Sequence, residues 1–320
     1  MTLASNPSPP AAAPRGQLAT FLDLIKFAHS IFALPFALIA TVWAFQAANL
    51  WPPSAGTWIR LALILACMVI ARTWAMTFNR LVDRRFDAAN PRTAKRPSVT
   101  GAVSIPFMRG TLAACLLLFL AATAAFYFLA GNIWPVALAL PVLAWLASYS
   151  YTKRFTALCH FWLGISLGLA PLSAWIALAP PIRTPWDPAA LTVLLLGLGV
   201  AFWVGGFDIL YALQDEDFDR ANHLRSIPAA LGRKSALVIS RFSHLIAALL
   251  FLSVGLAGHL HALYWTGFAA AAALLLIEQS LVSARDISKI NIAFMTANGL
   301  IGLVFGGLAI ADMCVWPRTF

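Results

Sequence analysis

Nine long apolar runs set the limits on what this chain can fold into. They cover roughly residues 20–48, 57–82, 106–130, 133–152, 156–179, 189–214, 234–258, 262–283 and 291–315. About 20 consecutive apolar residues cross a bilayer as a helix. Inside lipid the backbone must satisfy its own hydrogen bonds, which leaves helices and closed barrels. A barrel requires short segments of alternating polarity, and the sequence offers long continuous ones instead. The expected fold is all-α, a polytopic membrane protein with nine transmembrane helices around a central cavity. Composition agrees, since only 11% of the 320 residues are charged, against about 25% in a soluble domain.

The net charge of +10 could suggest a nucleic-acid partner, but the position of the charges excludes it. Most Lys and Arg fall in the loops after the even-numbered runs. These are Arg84, Arg85, Arg92, Lys95 and Arg96, then Lys153 and Arg154, then Arg220, Arg225, Arg233 and Lys234, then Arg285 and Lys289. The opposite loops are nearly free of them, Arg183 being the exception. That asymmetry is the positive-inside pattern, so the N-terminus and the even-numbered loops are expected in the cytoplasm. Residues 1–18 are rich in Pro, Ala and Ser and read as a disordered cytoplasmic tail rather than a cleavable signal. Residues 19–320 then form a single transmembrane domain. The four cysteines and six histidines are dispersed without metal-ligand spacing.

Two acidic clusters interrupt this apolar background. One is Asn79-Arg80-Leu81-Val82-Asp83-Arg84-Arg85-Phe86-Asp87, and the other is Tyr211-Ala212-Leu213-Gln214-Asp215-Glu216-Asp217-Phe218-Asp219. Each carries an Asp-x-x-x-Asp pair at the end of an apolar run, and both fall on the expected cytoplasmic side. Carboxylates four apart share one helix face. Carboxylate oxygens suit Mg²⁺, which is often shared with a substrate phosphate. Phe86-Asp87-Ala88-Ala89-Asn90 also echoes Phe218-Asp219-Arg220-Ala221-Asn222, as expected of two pseudo-repeated halves facing a common cavity.

Polar residues near the clusters extend the pattern. At about 100° per residue, Arg72, Asn79, Asp83 and Asp87 fall within roughly 80° of one another. Arg72 lies inside its apolar run, where a charge costs about 2.5–3.5 kcal/mol, so a substrate-facing role is expected for it. Arg92 and Arg96 follow the first cluster, Lys153 lies in the second cytoplasmic loop and Arg225 follows the second cluster. All four are candidate phosphate ligands. Lys26 either snorkels to the surface or reaches the cavity. Carboxylates that hold Mg²⁺, with Arg and Lys on a diphosphate, would stabilise the charge that develops as diphosphate leaves. An aromatic, dry cavity would shield the allylic cation left behind. Tyr211 stands one turn before Asp215 on the same face.

These motifs resemble the UbiA superfamily of intramembrane aromatic prenyltransferases. The likeness rests on Asn79-x-x-x-Asp83-x-x-x-Asp87, Asn90-Pro91-Arg92-Thr93-x-x-Arg96-Pro97 and Tyr149-x-x-x-Lys153-Arg154-Phe155-Thr156. It continues through Gly206-Phe207-Asp208-x-x-Tyr211-Ala212-x-x-Asp215-x-x-x-Asp219 and Ser226-Ile227-Pro228, and spans nearly the whole chain. It implies transfer of a polyprenyl group from polyprenyl diphosphate to a small aromatic acid, in a bacterial inner membrane. It implies two Mg²⁺ ions bridging the diphosphate, held by Asn79, Asp83, Asp87, Asp215 and Asp219. Arg92, Arg96 and Lys153 would bind diphosphate, Tyr149 and Tyr211 would flank the donor or the cation, and Arg72 could meet an acceptor carboxylate. Asp208 is a candidate for taking the ring proton. One departure stands out. Many members have Asp directly after the first Asn, where this chain has Arg80. Either the metal shell is one carboxylate poorer or that position is no direct ligand.

The nearest likeness is to a 4-hydroxybenzoate polyprenyltransferase-like bacterial branch, so 4-hydroxybenzoate in ubiquinone-type synthesis is the expected acceptor. A dihydroxynaphthoate-type acceptor for menaquinone is the alternative within the class. A cation-coupled transporter would instead place its carboxylates near the bilayer midplane on broken helices. A phospholipid head-group phosphotransferase would gather its acids in one continuous motif with Gly and Arg.

Overall fold

The computed structural model describes residues 17–25, 32–179 and 188–317, and every regular element among them is helical. Most of the expected tail, Lys26 and Arg183 lie outside the described residues. The first apolar run contains two separate helices, α1 (Gln17–Leu24) and α2 (Leu34–Ala47), the second opening on Pro35. There follow α3 (Ala55–Val82), the short α4 (Arg84–Ala89) and α5 (Pro97–Thr100), then α6 (Ile105–Ala130), α7 (Trp134–Thr152), α8 (Cys159–Leu178) and α9 (Pro188–Ala212). The short α10 (Glu216–Ala221) precedes α11 (Ile227–Ala257) and α12 (Ala262–Leu281). The last segment, α13 (Ile292–Val315), contains two π-helical stretches, Ile292–Ala297 and Ile301–Phe305. Eight helices among the described residues are long and apolar enough to cross a membrane, and α2 is a shorter apolar one.

The helix boundaries follow local chemistry. Ser104 and Ser226 accept hydrogen bonds from the amides of Phe107 and Ala229, capping α6 and α11, and each helix opens on a proline. Gly131, in the left-handed region at φ 64°, ends α6. Gly232, at φ 76°, kinks α11 near its start. A short helical stretch opened by Ser226-Ile227-Pro228 precedes this kink, and the uninterrupted helix runs on after Gly232, close to the expected 234.

Helix α9 forms the centre of the bundle and packs between α8 and α11. Gly164 and Gly168 let α8 approach the α9 backbone, where a Cβ would collide with the carbonyls of Ala201 and Gly197. Val193, Leu196, Val200 and Trp203 of α9 are fully buried in the main apolar core. A polar chain crosses that core. The Trp203 indole N–H donates to Asn298 Oδ1 at 2.7 Å, and Asn298 Nδ2 donates to Glu278 Oε1 at 2.7 Å. It ties α9, α13 and α12 together. The first π-helical stretch of α13 carries Phe294, which packs against Tyr211 with ring centroids 4.3 Å apart.

Candidate active site

Each acidic cluster sits at a break in a helix. α3 ends at Val82, and Asp83 (φ −91°, ψ 2°) both closes it and opens α4. After α9 a 3₁₀ turn covers Leu213–Asp215, and Asp215 (φ −104°, ψ 4°) opens α10. The sequence spacing predicted an unbroken helical face through each cluster. The structure corrects this, and the reason is local, since Asp favours helix ends over interiors. The four-residue relation survives the first break, because Asp87 N still donates to Asp83 O at 2.8 Å.

One cavity of about 290 Å³ collects the candidate metal, diphosphate, acceptor and proton-transfer residues, with Arg225 the exception among the described ones. Asn79, Asp83, Asp87, Arg92, Arg96, Lys153, Asp215 and Asp219 line its polar end, near the helix termini. Arg72, Tyr149, Asp208 and Tyr211 line it further along their helices, with Phe32, Leu163, Leu167, Val204, Phe207 and Phe294 as apolar wall. Arg225 is not part of this lining. Its backbone N–H donates to Lys153 O at 2.6 Å and its guanidinium donates to Phe155 O, so it braces two loops against each other.

Asp83, Asp87, Asp215 and Asp219 are each matched to a cation, and some pairs cross between the clusters, while Asp217 is exposed. Arg92 grips Asp215 in a two-pronged contact, Nε to Oδ1 at 2.8 Å and Nη2 to Oδ2 at 2.5 Å. Asn90 Nδ2 donates to the same carboxylate at 3.0 Å. Arg96 donates to Asp87 Oδ1 at 2.6 Å, Lys153 Nζ to Asp219 Oδ2 at 2.9 Å, and Arg154 to Asp83 Oδ1 at 3.2 Å. Asn79 Nδ2 donates to Asp83 Oδ2 at 2.6 Å. Burial pushes the Asp83 carboxyl above its ordinary range, against the lowering effect of the Arg154 bond. Burial disfavours the charged forms of Arg92 and Lys153, yet Asp215 and Asp219 raise both above their ordinary values. The arrangement keeps cations charged beside carboxylates.

Arg80 has a defined place. It is buried, its Nε donates to Leu24 O at 3.3 Å and its Nη1 to Asn79 Oδ1 at 3.0 Å. The same Nη1 lies 3.9 Å from Asp87 Oδ2. So Arg80 fixes the Asn79 amide with its nitrogen toward Asp83. Sequence reasoning gave no role to Arg80, Asn90 or Arg154, although Asn90 belongs to the echoed Phe-Asp-x-Ala-Asn. It also missed His160, whose Nδ1 is 2.7 Å from Asp208 Oδ2. His160 lies 48 residues from its partner, and no local motif marks it.

The donor set suits a hard divalent cation. Four carboxylates offer oxygen, and Asp87 Oδ2 is buried with no hydrogen-bond partner, while the Asn79 and Asn90 oxygens accept from Arg80 and from the Arg92 backbone N–H. Among the described residues no three acidic, His or Cys side chains already stand as a preformed metal cage. The carboxylates are engaged by Arg and Lys instead.

Known proteins share this chain's sequence and fold over most of its length. The 4-hydroxybenzoate octaprenyltransferase of Cronobacter sakazakii is 30% identical over 274 residues, covering 85% of this chain and 88% of that protein. The protein of the same name from Acidovorax ebreus is 29% identical over 306 residues, covering 94% and 98%. Among solved structures, the apo UbiA homologue from Aeropyrum pernix K1 superposes with a TM-score of 0.77 at 31% identity, covering 89% of this chain and 98% of that one. A UbiA homologue from Archaeoglobus fulgidus bound to GPP and Mg²⁺ shares the fold, with a TM-score of 0.65 at 19% identity over 92% and 99% of the two chains. The model of the UbiA prenyltransferase family matches residues 37–300, most of the chain, and the protein belongs to that family.

Proposed function

We propose that this prenyltransferase moves a polyprenyl group from its diphosphate to 4-hydroxybenzoate, with Mg²⁺ as cofactor, in the synthesis of a ubiquinone-type quinone. The observation that carries the reading is the ring of four aspartates, each matched to Arg or Lys, at the polar end of an aromatic-lined cavity. The names of the curated relatives support the acceptor. The A. fulgidus homologue bound to DMAPP and Mg²⁺ supports the donor class and the metal. The basic loops beside the site support a cytoplasmic location for it and for the N-terminus.

Asn79, Asp83, Asp87, Asp215 and Asp219 would hold two Mg²⁺ ions. When bound, the ions offset the charge that builds on diphosphate as its carbon–oxygen bond breaks. Arg92, Arg96 and Lys153 exchange their carboxylates for diphosphate oxygens, for which Arg is suited by its planar fork. The bonding pair leaves with diphosphate. Tyr211, Tyr149 and the nearby Phe rings flank the allylic cation and exclude water. Arg72 holds the acceptor carboxylate and so presents the ring. A ring π pair forms the new carbon–carbon bond, and the ring proton passes to Asp208, which restores aromaticity.

An acceptor panel tests the proposal. Membranes containing the protein receive Mg²⁺, a polyprenyl diphosphate and either 4-hydroxybenzoate or a dihydroxynaphthoate, and lipid products are read by mass spectrometry. Prenylated 4-hydroxybenzoate is the expected product. Prenylated naphthoate alone moves the protein to menaquinone synthesis and overturns the acceptor.

A further inference from the structure

We propose that His160 is the positioning residue that holds Asp208 aimed into the cavity for the final proton transfer. The inference rests on the reading of Asp208 as acceptor of the ring proton.

Asp208 lies on α9 seven residues before Asp215, about 10 Å deeper at 1.5 Å per residue. It lines the cavity with 17% of its side chain exposed. Its environment differs from that of the four cluster aspartates. Each of those faces Arg or Lys, whereas Asp208 has only His160 as an ionic or hydrogen-bond partner among the described residues. Asp208 is therefore the one of these five cavity carboxylates that no Arg or Lys engages.

The tautomer of His160 follows from its second contact. The ring is completely buried, and Nε2 lies 3.2 Å from the backbone nitrogen of Ile227. A backbone N–H can only donate, so Nε2 presents its lone pair and the hydrogen sits on Nδ1. The Nδ1–H then donates to Asp208 Oδ2. Ile227 opens α11, so its N–H is one of the amides a helix leaves without an internal partner. His160 satisfies that amide and orients Asp208 with the same ring, joining α8, α9 and α11.

Two chemical consequences follow. Donation to Oδ2 fixes the carboxylate's orientation and leaves Oδ1 as the atom that meets substrate. The imidazole also cannot relay a proton, because Nε2 is committed to an N–H. When the ring C–H bond breaks, its electron pair returns to the ring and the proton binds Asp208 Oδ1. It leaves later to water through the cavity, and His160 keeps its own hydrogen throughout.

The test uses the full chain in lipid nanodiscs with His160→Ala, His160→Gln and Asp208→Asn, reading kcat, both KM values and the thermal midpoint. His160→Ala is expected to lower kcat about 10–100-fold, the worth of one hydrogen bond to a charged group, with both KM values nearly unchanged. His160→Gln should restore most of the rate, since a Gln amide can donate to Asp208 and accept from Ile227. Asp208→Asn should lose about 10²–10⁴-fold. A wild-type rate in Asp208→Asn removes the base assignment and the inference with it. An inactive Asp208→Asn beside a fully active His160→Ala overturns the inference alone. Should His160→Ala fail to fold, His160→Phe, a planar ring with no N–H to donate, decides with ring-deuterated acceptor. Slower proton removal predicts an isotope effect larger than in the wild type, and an unchanged effect with unchanged kcat overturns the proposal.

Discussion

A carboxylate taken out of water needs a compensating charge or several donors. Asp87, Asp215 and Asp219 are each less than a tenth exposed, and each has a cationic partner at hydrogen-bond distance. The partners are flexible and partly solvated, Arg92 keeping 30% of its side chain exposed. Removing Asp215 therefore separates function from folding. Asp215→Ala should lower kcat by at least about 100-fold, as expected when a group that stabilises the transition state is lost. Its stability cost should stay on the order of 1–2 kcal/mol, because the freed Arg92 can rehydrate. Turnover and the thermal midpoint of the purified variant check both parts, and near-normal turnover would remove Asp215 from the metal shell. At this scale residue type and spacing picked out side chains that the fold does bring into one cavity, as with the aspartates, Arg92, Arg96 and Lys153. The sequence was silent where a partner arrives from elsewhere in the chain. Nothing local to Arg80 announces that its guanidinium holds the Asn79 amide, and nothing local to His160 points to Asp208.

Elements were readable to the extent that hydropathy sets their length. The boundaries of α3, α6, α7 and α12 fall within two residues of the apolar runs. Breaks within those runs were not. A period of four through Asp83 and Asp87 looks the same whether or not the helix pauses between them, and the pause is a backbone choice of one residue. The first run conceals two helices for a related reason, since Pro35 opens a new helix without interrupting the apolarity. Helix proximity, in contrast, leaves a trace in small residues. Gly164 and Gly168, four apart on α8, both face the α9 backbone. Gly168→Ala should thus force the helices apart or strain the Gly197 carbonyl, at a cost of about 1–3 kcal/mol. Gly110→Ala on α6 is the control, because a Cβ there meets nothing within 4 Å. Thermal midpoints in detergent should fall for the first and stay level or rise for the second. Equal midpoints would mean that α8 and α9 tolerate a wider spacing.

At the scale of the molecule, the two clusters are far apart in sequence and joined in space by Arg92, whose guanidinium leaves the loop after α4 to reach Asp215. The polar end of the bundle is consequently neutralised by its own side chains. Four aspartates would repel one another if left bare, yet each is offset by Arg or Lys. The chain is then expected to fold without metal and to need it only for turnover. Chelation should abolish prenyl transfer while leaving the thermal midpoint nearly unchanged, and returning Mg²⁺ should restore activity. Donor together with Mg²⁺ should raise stability through mass action, by about 2.7 kcal/mol at a ligand concentration 100 times Kd. Donor alone should give much less, because the aspartates still occupy the Arg and Lys groups that diphosphate needs. A protein that unfolds on chelation would show that metal, rather than these ion pairs, holds the two clusters together. A donor that stabilises equally without Mg²⁺ would show that Arg92, Arg96 and Lys153 are free to bind diphosphate before the carboxylates let go of them.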